Sequence, residues 1–271
     1  MVVSVIIPAA GFSSRFADAL GGEGDAGRSK LDEDLGGRPV LQRTVELFHK
    51  RDDVAQIIVA GPHADDAWEA FRLRHADKLA ILGVTLCRGG KTHRYETVKA
   101  ALAEVRDDAT HVAVHDAARP CTPADVIERV FAAAARFDAV IPAVEVDDTL
   151  KRVSEQEDAA LEADAIDAIL GTDPGAGPKA RQVEETIDRT RLVAVQTPQM
   201  FAAALLRRAY QQADLTSTDD AQLVERLGEP APVVVEGDPR NIKITRPADV
   251  RLARSLLGVS GPQGRPVHKR F

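Results

Sequence analysis

Val2-Val3-Ser4-Val5-Ile6-Ile7-Pro8, followed at once by Ala9-Ala10-Gly11-Phe12-Ser13-Ser14-Arg15-Phe16, opens the chain. The first seven residues are apolar except Ser4 and stop at a proline, which reads as a buried strand. The next three are small, so backbone N–H groups there can approach an anion closely. Arg15 adds a fork that matches phosphate oxygens. An ordinary tight turn with a surface arginine is the alternative reading, since residues 8–16 contain neither GxGxxG nor the Walker lysine motif. Gly21, Gly22, Gly24 and Gly27 make the segment between Arg15 and Lys30 flexible by composition.

The same alternation continues outward from this junction. Further strands are predicted at 54–60, 81–87, 111–114 and 139–144. Between them Leu41, Val45 and Phe48 keep helical spacing, as do Val98, Leu102 and Val105. Val126 and Val130 continue a helix opened by Thr122-Pro123, with Thr122 as its cap. Near-continuous apolar strands separated by helices predict an α/β fold, a mostly parallel sheet with helices on both faces. Ligands of such sheets bind at the carboxyl ends of the strands.

The alternation breaks after Val144. Residues 155–173 hold seven acidic side chains and no basic one, and Pro174-Gly175-Ala176-Gly177-Pro178 follows. This composition predicts a solvated, mobile insertion. Extended stretches at 147–153 and 186–195 flank it and could pair as an arm projecting from the sheet. Afterwards the pattern resumes with a helix from Phe201 to about Gln212, another after Ser217-Thr218-Asp219, strands at 233–236 and 242–244, and a last helix entered through Thr245-Arg246-Pro247. The segment 258–271 reads as a flexible tail.

Composition narrows the class of function. A formal net charge of −7 with 4% aromatic residues argues against a nucleic-acid binder, which must neutralise phosphates with a basic face, while a single bound nucleotide remains open. No apolar run approaches the roughly 20 residues of a membrane span, and Met1 leads directly into a strand rather than a signal peptide. Two cysteines, Cys87 and Cys121, in no CxxC pattern fit a cytoplasmic protein.

Five more segments could carry chemistry. Asp116, in Val114-His115-Asp116-Ala117-Ala118-Arg119-Pro120, stands at a predicted strand end, where Mg²⁺ bridging phosphates would take a carboxylate; a capping or turn aspartate is the alternative. His115 reads as a packed or capping residue, because no second histidine stands at metal spacing. Gly89-Gly90-Lys91-Thr92-His93-Arg94-Tyr95-Glu96-Thr97 suits reading a base or phosphate with backbone groups, or is a solvated loop. Lys243, inside Asn241-Ile242-Lys243-Ile244-Thr245, is costly to bury unless an anion pairs with it. Asp148-Thr149-Leu150-Lys151-Arg152 and Thr186-Ile187-Asp188-Arg189 lie on the arm, where solvated charge is the default.

In order, PAAGFSSRF, GG with a following Arg-x-x-Thr, VHDAARP, DTLKRV, TIDRTRL, TPQMF, STDDA and DPRNIKITRPADV span nearly the whole chain. With these strings the sequence resembles the 2-C-methyl-D-erythritol 4-phosphate cytidylyltransferase family of the non-mevalonate isoprenoid pathway. The resemblance implies a Rossmann-like nucleotidyltransferase fold over residues 1–257, with the arm and insertion at about 146–195. It also implies CTP and a polyol phosphate as substrates, Mg²⁺ or another divalent cation as cofactor, and a homodimer formed through exchanged β-arms. By resemblance Arg15 and Lys30 hold the triphosphate, Asp116 associates with the metal and Lys243 meets the α-phosphate. By resemblance Ala9, Ala10, Gly11, Gly90 and Thr97 fall where the family contacts cytidine, Thr97 standing where serine is more usual, and Arg94 joins the substrate-binding residues. Thr149 and Arg189 resemble arm residues that reach the acceptor in the neighbouring subunit, with Arg119 and Thr197 nearby. Four departures stand out: Ser29 precedes Lys30 where the family usually has proline, the loop before it carries extra residues, the GGKTHR loop is one residue longer, and the acidic insertion is longer still.

The implied reaction is nucleotidyl transfer, in which the acceptor's phosphate attacks the α-phosphorus of CTP in line and releases pyrophosphate. A relative acting on ribitol 5-phosphate, or a regulatory nucleotide-binding protein without turnover, would share many of these residues.

Overall fold

The computed structural model describes residues 1–11, 16, 29–155, 181–228 and 230–261. Arg15, nearly all of the acidic insertion and most of the tail lie outside the described residues. The opening apolar run forms β1 (Val3–Pro8), buried over its first five residues. Val3, Val5 and Ile7 join one core with Leu41, Val45 and Phe48, while Ile6 joins a second with Val98, Ala101 and Leu102. A strand whose alternate residues enter two cores must be apolar on both faces, which explains the unbroken run.

Around β1 the chain lays down a short 3₁₀ turn (Lys30–Asp32), α1 (Val40–His49), β2 (Val54–Gly61), α2 (Asp65–Ile81), β3 (Val84–Arg88), α3 (Arg94–Ala103), β4 (His111–Val114), α4 (Ala124–Ala134) and β5 (Ala139–Glu145). After the arm come β9 (Gln199–Ala202), α5 (Ala203–Ala209), α6 (Asp220–Glu225), β10 (Val233–Glu236) and α7 (Pro247–Leu256). In space the strands run β10-β5-β9-β4-β1-β2-β3. β1 pairs in parallel with β2 and β4, β2 with β3, and β5 with β10, whereas β9 is antiparallel to β4 and β5. The sheet is mostly parallel and helix-covered, as expected.

Two compact units divide the chain: residues 1–144 with 195–271, and residues 145–194. The smaller unit contains β6 (Leu150–Val153) and β7 (Val183–Ile187), paired antiparallel from Leu150 with Ile187 to Val153 with Val183. A short strand, β8 (Val193–Val195), ends at the return to the larger unit.

Five local expectations are corrected. The arm's second strand, expected within 186–195, is β7, which lies mostly before that stretch because the register pairs Leu150 with Ile187 and runs back to Val183, while 188–192 form no strand. The helix expected from Phe201 starts at Ala203, and the residues before it are β9. Met200 and Phe201 enter opposite cores there, a two-faced burial that four residues of sequence cannot disclose. The strand expected at 81–87 begins only at Val84, because α2 runs to Ile81 and Gly83 turns the chain at φ 69°. Only Phe71, His75 and Leu79 of α2 are buried, too sparse a stripe to reveal a helix of 17 residues. Asn241–Thr245 forms no strand: it makes a single backbone hydrogen bond to the neighbouring loop, from the Ile244 amide to the Ala118 carbonyl at 2.9 Å. Finally α4 starts at Ala124 with Pro123 as its cap, and Thr122 is free to bond elsewhere.

Candidate active site

β4 ends at Val114, and the chain turns so that the Arg119 amide donates to the Asp116 carbonyl at 3.1 Å. The Asp116 side chain is 9% exposed. Lys243 Nζ lies 3.0 Å and Arg119 Nε 3.1 Å from its Oδ2, and Arg94 Nε lies 3.4 Å from Oδ1. Burial would raise the Asp116 pKa, but Arg94, Lys243 and Arg119 together hold it well below the usual carboxylate range. Arg94 has a second partner, since its Nη1 donates at 2.7 Å to Asp220 Oδ2, which is fully buried. Burial would lower the Arg94 pKa, yet the Asp220 and Asp116 carboxylates override it and keep the guanidinium charged. Three cations face two carboxylates, an excess of one positive charge suited to an incoming anion.

Behind Asp116 the hydrogen bonds assign every proton. His115 is fully buried, and burial pushes its imidazole pKa down to about 4, so the ring is neutral at pH 7. Its Nε2 faces the Arg119 carbonyl at 3.2 Å and must donate; Nδ1 therefore accepts from Thr197 Oγ at 3.0 Å. With its hydrogen committed, Thr197 Oγ accepts the Asp116 amide at 3.0 Å. Asn241, fully buried, donates to the Thr197 carbonyl at 2.9 Å and accepts from Thr122 Oγ at 2.7 Å, and its own carbonyl accepts from Arg119 Nη1 at 2.6 Å. On the far side Tyr210 donates to Asp220 Oδ1 at 2.5 Å; burial and that carboxylate raise the phenol's pKa, so the proton stays on oxygen.

A glycine pair brings the next wall close. The Gly90 amide donates to Thr97 Oγ at 3.1 Å, and a Cβ at Gly90 would stand 2.2 Å from Glu96 Cβ and 2.8 Å from the Glu96 carbonyl carbon. Only glycine lets this loop lie on the first turn of α3. Glu96 accepts from the Thr92 and His93 amides and closes that turn. Opposite, Lys30 opens its 3₁₀ turn.

These pieces line a cavity of about 290 Å³ at the carboxyl ends of β1, β3 and β4, bounded by Ala9, Ala10, Gly11, Lys30, Gly90, Arg94, Thr97, Asp116 and Lys243 among others. A second cavity of about 230 Å³ is lined by Arg119, Gln196, Thr197, Thr218 and Asp219. Arg94, Asp116 and Lys243 line both. Neither cysteine offers a nucleophile, because burial pushes both thiols up to about 11.

The sequence profile of the family described as 2-C-methyl-D-erythritol 4-phosphate cytidylyltransferase (IspD) matches residues 3–167 and 159–259. The chain belongs to this family. A 2-C-methyl-D-erythritol 4-phosphate cytidylyltransferase of Symbiobacterium thermophilum is 42% identical over 260 residues, 94% of this chain and 92% of that protein. One from Frankia casuarinae is 39% identical over 263 residues, 96% of this chain and 83% of its own. The crystal structure of the Thermus thermophilus enzyme superposes with a TM-score of 0.65 at 32% identity, covering 96% of this chain and all of that one.

Most of the residues singled out by sequence in this family member come together: Ala9, Ala10, Gly11, Lys30, Gly90, Arg94, Thr97, Asp116 and Lys243 around the larger cavity, Arg119 and Thr197 around the smaller. Arg15 lies outside the described residues. Thr149 and Arg189 belong to the smaller unit, where Arg189 Nη1 donates to the Val146 carbonyl at 3.2 Å. Sequence reasoning missed Asp220, Tyr210 and Gln196, and read Asn241 only as part of a strand. The second aspartate of Ser217-Thr218-Asp219-Asp220 was the available signal, because Asp219 alone caps α6 by accepting from the Gln222 amide.

Proposed function

We propose that this chain transfers the cytidylyl group of CTP to 2-C-methyl-D-erythritol 4-phosphate, releasing pyrophosphate and leaving the CDP-linked methylerythritol. The observation that carries this reading is the pair of cavities that share Arg94, Asp116 and Lys243. A bisubstrate transfer between two polyanions needs two adjoining pockets with cations at their junction. CTP occupies the larger cavity, with small residues Ala9, Ala10 and Gly11 against the phosphates and the Gly90 loop against the base. The acceptor's phosphate enters the smaller one beside Arg119 and Thr197.

An acceptor phosphate monoester carries about −1.5 to −2 charge near neutral pH, so no strong general base is required. The protein's task is to bring the anions together, screen their repulsion and stabilise charge on the transferring group. Lys30 and Arg15 hold the triphosphate, Lys243 meets the α-phosphate, and Arg94 and Arg119 keep Asp116 in register.

Among the described residues no cluster of three or more His, Cys, Asp or Glu could hold a metal ion. Mg²⁺ bound through one carboxylate and substrate phosphates needs no such cluster, and Asp116 supplies that carboxylate at the junction. Bound there with the triphosphate, Mg²⁺ would add positive charge to the phosphate oxygens. No helix among the described residues is long and apolar enough to cross a membrane, and we infer a cytoplasmic homodimer in which the β6–β7 arm brings Thr149 and Arg189 to the neighbour's acceptor.

Pyrophosphate release with CTP and Mg²⁺ tests the assignment. Turnover with methylerythritol 4-phosphate, its loss on adding EDTA, and little turnover with ribitol 5-phosphate are expected. Release only with ribitol 5-phosphate would move the acceptor; no release with either would leave a nucleotide-binding protein. A monomeric sedimentation mass would overturn the dimer.

A further inference from the structure

The short turn carrying Lys30 is sutured by a single carboxylate. The Leu31 amide donates to Ser29 Oγ at 3.2 Å, the Asp32 amide to the Ser29 carbonyl at 2.9 Å, and the Ser29 amide back to Asp32 Oδ2 at 3.3 Å. The remaining oxygen of Asp32, Oδ1, lies 2.7 Å from His75 Nε2. Arg74 Nε stands 3.3 Å from Oδ2. His75 comes from the middle of α2, is 3% exposed, and has its ring 4.8 Å from that of Phe71, which in turn stacks on Trp68. Facing a carboxylate, Nε2 carries the hydrogen whichever state the ring adopts. Although burial would raise the Asp32 pKa, the His75 hydrogen bond and charge, with Arg74, bring it below the ordinary value, so an ionised acceptor meets this donor.

Lys30 and Leu31 line the larger cavity, while neither Asp32 nor His75 is among its lining residues. An effect of these two on the reaction therefore passes through the backbone of the Lys30–Leu31 turn. A lysine side chain has four rotatable bonds, so an ammonium that must meet one phosphate depends on a backbone that does not wander. The Asp32–His75 bond ties that backbone to a helix whose buried face, Phe71, His75 and Leu79, is part of the main core packing.

We propose that His75, acting through Asp32, is a positioning residue that fixes the Lys30 turn against α2 and so sets the ammonium against the nucleotide's phosphates. This rests on the reading that Lys30 holds the triphosphate. It adds two residues to the machinery, neither of which touches substrate.

A double-mutant cycle on the full chain tests it, with steady-state pyrophosphate release in CTP and thermal melts to establish folding at the assay temperature. His75→Leu keeps apolar volume and removes the donor; His75→Gln keeps an N–H near the position of Nε2. His75→Leu is expected to lower kcat/KM for CTP about ten- to hundredfold, the scale of a lost hydrogen bond to a charged group. KM for the acceptor should stay within about twofold, and His75→Gln should recover most of the loss. In a Lys30→Ala background, His75→Leu should cost less than about threefold more, because residues acting through one another are not additive. Equal fractional losses in both backgrounds overturn the proposal while leaving the Lys30 reading intact. Near-normal turnover in Lys30→Ala alone overturns that reading, and the proposal with it. Should His75→Leu fail to fold, the isosteric Asp32→Asn runs the same cycle against the same outcomes.

Discussion

Lys243→Ala separates catalysis from folding because of how Asp116 is surrounded. The lysine side chain is 37% exposed and its Nζ lies 3.0 Å from Asp116 Oδ2. Truncation removes one of three cations but leaves Arg119 at 3.1 Å on the same oxygen and Arg94 at 3.4 Å on the other. The carboxylate is not orphaned, so the penalty for an unpaired buried charge does not apply. An ion pair with one partner more than a third exposed is screened, and its loss costs about 1 kcal/mol or less. For a chain of 271 residues that corresponds to a fall in Tm of about 2 °C or less. On the proposed placement of Lys243 at the α-phosphate, turnover responds very differently, because charge developing there in the transition state would lose a preorganised cation. Removing one such donor costs roughly 10²–10³ in kcat, about 2.7–4 kcal/mol of barrier. Pyrophosphate release under saturating substrates measures the loss of turnover and urea unfolding the loss of stability. A kcat within about threefold of the parent, or a stability loss above about 3 kcal/mol, would refute the assignment.

Asp116→Asn is expected to do the reverse on stability: it leaves Arg94, Arg119 and Lys243 without their shared anion and should cost about 3 kcal/mol in urea unfolding, whereas an unchanged midpoint would show that the carboxylate does not balance the cluster. Gly90→Ala forces a Cβ to within 2.2 Å of Glu96 Cβ, so KM for CTP should rise at least about tenfold, roughly 1.4 kcal/mol; an unchanged KM would mean the loop does not face the nucleotide. Burial pushes the His115 imidazole down to about 4 in the fold against 6.5 ordinarily. Below pH 6.5 the unfolded chain takes up a proton that the native state refuses, so stability rises with pH across the window from about 4 to 6.5 and is lost on acidification, by about 3 kcal/mol in all. Urea melts of the metal-free parent and His115→Gln across that window check this, and parallel pH curves for the two would contradict it.

Most of the strands that were legible beforehand are buried on both faces; β10, an edge strand of alternating burial, also falls on its predicted bounds because it is a short run of valines. β1, β2, β4 and β5 fall within a residue or so of their predicted bounds, since a central parallel strand is a continuous apolar run bounded by turn residues. β9 escaped notice for the complementary reason: four residues run straight into α5, and nothing local says that Gln199–Ala202 fills the gap between β4 and β5 in the antiparallel sense. The site divides the same way. Gly90, Asp116 and Lys243 could be picked out because each sits in a short string whose residue types suit phosphate chemistry, whereas Lys30 came only from the family resemblance.

Their partners could not be read in that way. Asp220 bonds Arg94 across 126 residues, Asn241 holds Thr197 across 44, and Asp32 meets His75 across 43. Residue type and spacing, through strand burial, glycine-dependent turns and helix caps, were enough for the α/β alternation and for which segments reach the strand ends, because those preferences act within a few residues of chain. The charge state of Asp116, the neutral ring of His115 and the pairing of Arg94 with two carboxylates arise only when the sheet order brings β4, α3, α6 and the Asn241–Thr245 segment together. Such interactions depend on distance in space and on exclusion of water, and neither quantity exists until the chain has folded.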